Sequence, residues 1–302
     1  MPETGAQMPT LSHSGRNMRN LYPTFSTFIC LFFLLGACAT PPAASPPEAG
    51  DAEAFRLRSK GLVIAGEIAR APGTTPKIAV IIVGGSGARV RGDTEAAVPF
   101  FRDQNTAVVI YDRRGNGDST GKYAIPDTLN TAWQIPRFAD DVAAIAAHLK
   151  RHGYERVGLV GTSMGGWINV AAAAKTRAID FVVCFSGGAS SVGVSDEFDR
   201  LTDEGLTIAE AIAAARRYDG PSGYDPQADL KAMEQPGLFV FGDEDDSNPT
   251  ALDVEALEAM KAIGKPLTII VLPRANHDFI DLDTGEMNTD WTGPVKAFIQ
   301  GD

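Results

Sequence analysis

The stretch RVGLVGTSMGGWINVAAAAK, residues 156–175, decides the fold. A β-branched run stops at Gly161, Ser163 follows two residues later, and Gly165 and Gly166 precede an alanine-rich segment. Apolar run, glycines and then alanines read as a buried strand, a tight turn and a helix. The pentapeptide Gly161-Thr162-Ser163-Met164-Gly165 is G-x-S-x-G in the strand-to-helix context that this motif requires. A turn so tight excludes flanking side chains and pushes the serine hydroxyl into the open. The N-terminus of the following helix, with its partial positive charge, meets the same point and favours a developing anion.

The same design recurs outward along the chain. KIAVIIVGGSG (77–87), NTAVVIYDRRGNG (105–117), AIDFVVCFSGG (178–188), PGLFVFGDED (236–245) and PLTIIVLPRANH (266–277) are apolar runs ending on glycines or polar residues. Continuous rather than alternating apolarity indicates strands covered on both faces. Helical spacing predicts helices in RFADDVAAIAAHLKRHG (137–153), in PTALDVEALEAMKAIGKP (249–266) and, shorter, in WTGPVKAFIQ (291–300). AFRLRSKGLVIAGEIARAPG (54–73) reads as a strand pair turning at Lys60-Gly61. Alternating strands and helices predict an α/β fold, a mostly parallel central sheet with helices on both faces. In such sheets the chemistry sits at the carboxyl ends of the strands.

From about 190 to 236 no strand-like run occurs. Two helices joined at Gly205, the second capped by Thr207, are expected there, and an insertion of this length between core strands reads as a small helical cap. Phe198, Leu201, Leu206, Ile208 and Ile212 either line a pocket or pack the cap on the main domain.

A serine hydroxyl needs a base, and the base needs an orienting acid. Of the four histidines, His13 lies in the leader. His148 and His152 stand at i, i+4 in the last helical turn, but Leu149 occupies the position where a zinc helix carries glutamate. His277, just beyond the last strand, remains. Asp243, Glu244, Asp245 and Asp246 follow the preceding strand, so the order is Ser…acid…His. No metal and no cofactor is called for. The glycine loops at 85–90 and 115–120 fail the dinucleotide fingerprint at Val90 and Thr120, and no phosphate-loop motif exists. Arg89 and Arg91 read as solvated loop charges, or as a means of steering a substrate carboxylate.

On these residues the chain resembles the α/β-hydrolase superfamily from about Phe55 onward. GTSMGG looks like its nucleophile elbow, YDRRGNGDSTG (111–121) like its D-x-R-G-x-G-x-S segment, GGSGARVRGD (84–93) like its oxyanion loop, and ANHDF (275–279) like its histidine loop. GDEDDSNP (242–249) looks like its acid loop, G-x-x-D, which selects Asp245 with Asp246 as the fallback. The resemblance implies an α/β-hydrolase fold and a catalytic triad of Ser163, Asp245 and His277. It places the oxyanion hole at the backbone N–H groups of Ser86 and Met164, with Gly85 or Gly87 as other donors. It implies a carboxylesterase-like serine hydrolase whose partner is a small-molecule ester. A serine peptidase, amidase or thioesterase of the same fold, and a non-catalytic envelope-binding lipoprotein, are the other readings. No propeller that would signal an oligopeptidase is visible.

Residues 15–38, GRNMRNLYPTFSTFICLFFLLGAC, pair Arg16 and Arg19 with an apolar run and small residues, as a secretory signal does. Met18 is a sensible alternative start. Leu35–Cys38 resembles a bacterial lipobox, which implies a lipoprotein signal peptide over 1–37 and lipidation of Cys38. With Ala39 after the cysteine, that family favours the outer membrane, here facing the periplasm of a bacterial cell envelope. Residues 38–54, rich in Pro and Ala, read as a flexible tether, and 55–302 as the hydrolase domain. Cys184 is then the one cysteine of the mature chain outside the anchor, in a buried apolar run. The chain has 302 residues, 44% of them hydrophobic, and a net charge of −11, which excludes nucleic acid as a partner. Oligomeric state is not legible.

Overall fold

The computed structural model describes residues 52–302. The expected leader, the expected lipidation site Cys38 and most of the expected tether lie outside the described residues. Ala52–Ser59 (β1) and Leu62–Ala69 (β2) form an antiparallel hairpin. Its turn holds Lys60 at φ 47° and Gly61 at φ 84°, the left-handed pair that matches strand twist in a two-residue connection. Residues 52–54, read as tether, pair along β2 as the start of β1.

Six further strands follow: Ile78–Val83 (β3), Thr106–Tyr111 (β4), Arg156–Thr162 (β5), Phe181–Phe185 (β6), Gly237–Gly242 (β7) and Leu267–Leu272 (β8). They make one eight-stranded sheet in the order β1-β2-β4-β3-β5-β6-β7-β8. β1 and β2 run antiparallel, and every pairing from β4 to β8 is parallel. The parallel strands are apolar throughout because both faces are covered. Along β3, Ala79, Ile81 and Val83 enter one core while Ile78, Val80 and Ile82 enter the other. Thr128–Arg151 (α2), Met164–Lys175 (α3) and Thr250–Ala262 (α7) pack on the first face. Val98–Phe101 (α1) and Thr292–Gln300 (α8) pack on the second.

One helix begins earlier than its spacing predicts. α2 starts at Thr128 rather than near Arg137 and runs through Pro136. Its start is a local hydrogen-bond exchange: the Asn130 N–H donates to the Asp127 carboxylate at 2.8 Å, and the Asp127 N–H donates to Asn130 Oδ1 at 3.1 Å. The proline marked an apparent beginning because helices tolerate it poorly inside.

The insertion carries Val192–Asp203 (α4), Ile208–Ala215 (α5) and Gln227–Ala232 (α6). Gly205 turns α4 at φ 93°, and Thr207 caps α5 in a reciprocal bond with Glu210. Phe198, Leu201, Ala211 and Ala215 close a small core of their own between α4 and α5. Among the described residues no helix is long and apolar enough to cross a membrane.

Candidate active site

Because β3 to β8 are parallel or reached in parallel order, the loops carrying Gly84, Ser163, Ser186, Asp245 and His277 leave one rim of the sheet. Ser163 stands between β5 and α3 with φ 51° and ψ −122°, a backbone state that a residue with a Cβ adopts only under constraint. The constraint is visible. The Ser163 N–H donates to the Phe185 carbonyl at 2.8 Å, and the Gly166 N–H donates to the Ser163 carbonyl at 2.8 Å. A Cβ on Gly165 would lie 2.2 Å from the Val83 carbonyl oxygen, and one on Gly161 would lie 2.6 Å from that of Gly165. Both glycines of the motif are therefore demanded by contact between backbones.

Among the four acids after β7, burial makes the distinction. Asp245 is 1% exposed, whereas Asp243, Glu244 and Asp246 face solvent. Asp245 Oδ1 accepts the Ser247 and Asn248 N–H groups at 2.9 and 2.8 Å, which orients the carboxylate. His277 Nδ1 lies 3.0 Å from Oδ1 and 2.9 Å from Oδ2 of Asp245. Asn276 Oδ1 tightens the histidine loop by accepting the N–H groups of Asp278 and Ile280 at 3.0 and 2.9 Å.

The histidine loop is joined to the elbow through the end of β6. The Ser186 hydroxyl donates to the His277 carbonyl at 2.9 Å, next to the Phe185 carbonyl that holds the Ser163 N–H. Ser186 is itself at φ 51°. Ser163 Oγ and His277 make no direct hydrogen bond among the described contacts. Such bonds are often long in ligand-free sites and tighten on substrate.

The electrostatics of the imidazole are dominated by acids. Burial, the largest single influence, disfavours its charged form, but Asp245 by charge and hydrogen bond, together with Asp278 and Asp199, outweighs it, and the ring is pushed up to about 9. Asp199 comes from α4 and Asp278 from the histidine loop, and burial pushes both carboxyls up. A base must be neutral to accept a proton. The expected pH–rate profile of kcat/KM therefore rises through an inflection near pH 9 rather than near the ordinary histidine value of 6.5. Asp278→Asn and Asp199→Asn move that limb to lower pH, and a limb that stays in place in both variants contradicts the assignment. The sign for stability is opposite. With the folded value raised, the His277–Asp245 interaction stabilises fully below about pH 6.5 and is lost as pH climbs through about 9.

On the oxyanion side, a Cβ built on Gly85 would lie 3.4 Å from Ser163 Cβ, so this loop rests against the elbow. The backbone N–H groups of Ser86 and of Met164, the first residue of α3, donate to no other group among the described residues. Arg89 is not a solvated charge: it is 9% exposed, and it donates to the Ser86 carbonyl and, at 3.5 Å, to that of Gly85. Arg91 pairs with Asp118 and, at 3.2 Å, with Asp112. Asp112 in turn accepts the Arg91 and Asp118 N–H groups at 2.8 and 2.9 Å, and Arg114 pairs with the buried Asp141 at 2.7 Å. Sequence reasoning passed over Arg113, Ser186, Asp199 and Asp278. A second arginine at the end of an apolar strand was a signal for the first. Nothing in spacing marked the acids.

The cap residues divide. Phe198 and Leu201 are buried in the cap's own core, and Leu206 packs against it. Ile208 and Ile212 face a cavity of about 310 Å³, walled also by Val254 and Val271, that reaches Asp243 and Asp245. The His148 and His152 rings lie 4.0 Å apart, tilted by 36°, and His152 Nδ1 is 2.8 Å from the His148 carbonyl oxygen, so that ring nitrogen is engaged locally. Among the described residues no group of three or more His, Cys, Asp or Glu is placed to hold a metal. Cys184 is buried, and burial pushes its thiol up to about 12.

Residues 93–301 match the prolyl oligopeptidase family. The chain belongs to the prolyl oligopeptidase family. No curated protein matches it in sequence. Among solved structures, an esterase of Pyrococcus furiosus superposes with a TM-score of 0.64 at 15% identity, over 83% of this chain and 91% of that one. A proline iminopeptidase of Mycobacterium smegmatis gives 0.59 at 15% identity, over 82% and 98%. The acylaminoacyl peptidase of Pyrococcus horikoshii gives 0.60 at 16% identity, over 84% of this chain but 42% of its own. At such identities the likeness is one of fold, and that fold is the α/β-hydrolase fold. Membership of the prolyl oligopeptidase family supports a serine hydrolase; it does not separate ester from peptide bonds.

Proposed function

We propose that this family member cleaves carboxylic esters through an acyl-enzyme formed on Ser163. The observation that carries the reading is the buried Asp245 carboxylate 2.9 Å from His277 Nδ1, beside the strand end that bears Ser163 in a strained turn. Asp245 holds the proton of His277 on Nδ1 and leaves Nε2 free to act as base. Ser163 Oγ attacks the carbonyl carbon as its proton passes to Nε2. The carbonyl oxygen takes the negative charge and is met by the N–H groups of Ser86 and Met164, each such donor being worth about 3 kcal/mol. The imidazolium returns its proton to the departing alkoxide. Water, activated by the same Nε2, then releases the acid and restores the hydroxyl.

The ester reading takes its support from the fold shared with the Pyrococcus furiosus esterase, most of whose length this chain spans. The peptidase reading is favoured by the family's name and by the carboxylates Asp199 and Asp278 near His277, which suit a substrate ammonium. Hydrolysis rates for p-nitrophenyl esters of graded acyl length, against aminoacyl p-nitroanilides, separate the two. Ser163-dependent turnover confined to anilides overturns the ester reading.

We further infer a lipid anchor at Cys38, which rests on Arg16, Arg19 and the Leu35–Cys38 sequence and would set the domain in the cell envelope, at the outer membrane. Two or more acyl chains hold a protein where one binds only marginally. Labelled fatty acid should enter the full chain expressed in a bacterium and be absent from Cys38→Ala. Equal labelling of both removes the anchor from this residue.

A further inference from the structure

We propose that Arg113 is the positioning residue of the oxyanion hole, a buried cation that turns the Ser86 amide toward Ser163 and strengthens it as a donor. The inference rests on the serine-hydrolase reading. Arg113 follows β4, is 1% exposed, and lies over the Phe138 ring at 5.0 Å. Among the described residues no carboxylate pairs with it. Its two terminal nitrogens turn instead to the oxyanion loop, with Tyr111 as a further side-chain partner, and Nε makes no hydrogen bond among the described residues. Nη1 donates to the Gly85 and Gly87 carbonyls at 2.9 Å each, and Nη2 to those of Gly84 and Gly85 at 2.7 and 2.9 Å. Arg89 takes the remaining carbonyl, that of Ser86.

Peptide geometry converts this clamp into a site. No cis peptide bond occurs among the described residues, and in a trans unit the C=O and N–H point in opposite directions. The Gly85 carbonyl and the Ser86 N–H belong to one unit. With that carbonyl held by two nitrogens of a buried guanidinium, the N–H is directed away from the interior, in a loop so close to the elbow that a Cβ on Gly85 would lie 3.4 Å from Ser163 Cβ. A cation bonded to the oxygen also polarises the unit and makes its N–H the better donor. A buried charge without a counter-ion is costly, and a merely structural clamp has no need of one. Here the positive charge lies one peptide unit from the place where an oxyanion forms.

The test compares full-chain wild type with Arg113→Gln and Arg113→Lys, using a p-nitrophenyl ester and a trifluoromethyl ketone that forms a tetrahedral oxyanion on serine. Arg113→Gln should lower kcat about 100-fold with KM changed less than about threefold, and weaken the ketone by the same factor as kcat. Arg113→Lys, which keeps the charge, should recover part of both. A folded Arg113→Gln that retains wild-type kcat, or that loses only KM, overturns the proposal. Should circular dichroism show that variant unfolded, Arg89→Gln decides: a kcat reduced about tenfold at constant KM supports the loop clamp, and an unchanged kcat overturns it. Failure of the underlying reading looks different, because wild type would then show no Ser163-dependent turnover at all.

Discussion

Ser163→Ala is expected to lower ester hydrolysis by about 10⁵- to 10⁶-fold and to abolish covalent labelling by a fluorophosphonate. The magnitude follows from what is lost. With no hydroxyl at the elbow there is no acyl-enzyme, and only water held near the oxyanion donors remains to react. The change is otherwise small, one oxygen removed from a half-buried residue. The backbone contacts that hold the turn, Ser163 N–H to Phe185 and Gly166 N–H to Ser163, are kept. Alanine shares the unfavourable φ of 51°, so melting temperature should move little while activity collapses. Labelling that persists in the variant, mapped to another residue by mass spectrometry, places the nucleophile elsewhere.

Asp245→Asn should reduce kcat by about 10⁴-fold, and the matched Asp246→Asn by less than about threefold. The contrast is the informative part. Both acids lie in one polar turn, but Asp245 is buried against His277 and fixed by two backbone amides, whereas Asp246 is exposed. An amide at 245 can satisfy the Ser247 and Asn248 N–H groups and still fail the imidazole. It stabilises no positive charge there, and its NH₂ can force the ring into the tautomer with the proton on Nε2. The inflection near pH 9 should fall as well, because Asp245 is the main charge that raises it. Near-normal rates in Asp245→Asn with a large loss in Asp246→Asn would reverse the assignment.

The parts of the site legible in the sequence are those built from short-range constraints. Gly161, Ser163 and Gly165 fall within five residues, and the Gly165 carbonyl that excludes a Cβ at Gly161 belongs to the same turn, whereas a Cβ at Gly165 is excluded by the Val83 carbonyl at the end of β3. The helix capped by Thr207 and the turn at Lys60-Gly61 are local for the same reason. The start of α2 was misread at Pro136 because the capping exchange of Asp127 with Asn130 is satisfied well before it, and long helices absorb one proline.

What the sequence determined by itself was the order of strands and helices, the elbow, and a set of acids and one histidine at strand ends. Apolar runs, glycines and capping residues record how each segment meets its immediate neighbours. The tertiary structure alone decided that Asp245 is the buried acid, that Asp199 of the cap acts on His277, and that Arg113 faces the carbonyls of Gly84, Gly85 and Gly87. Those relations join positions 26 to 78 residues apart, and their energies depend on burial and distance. Neither quantity is written in the order of residues, because both arise only when separate strands close into one sheet.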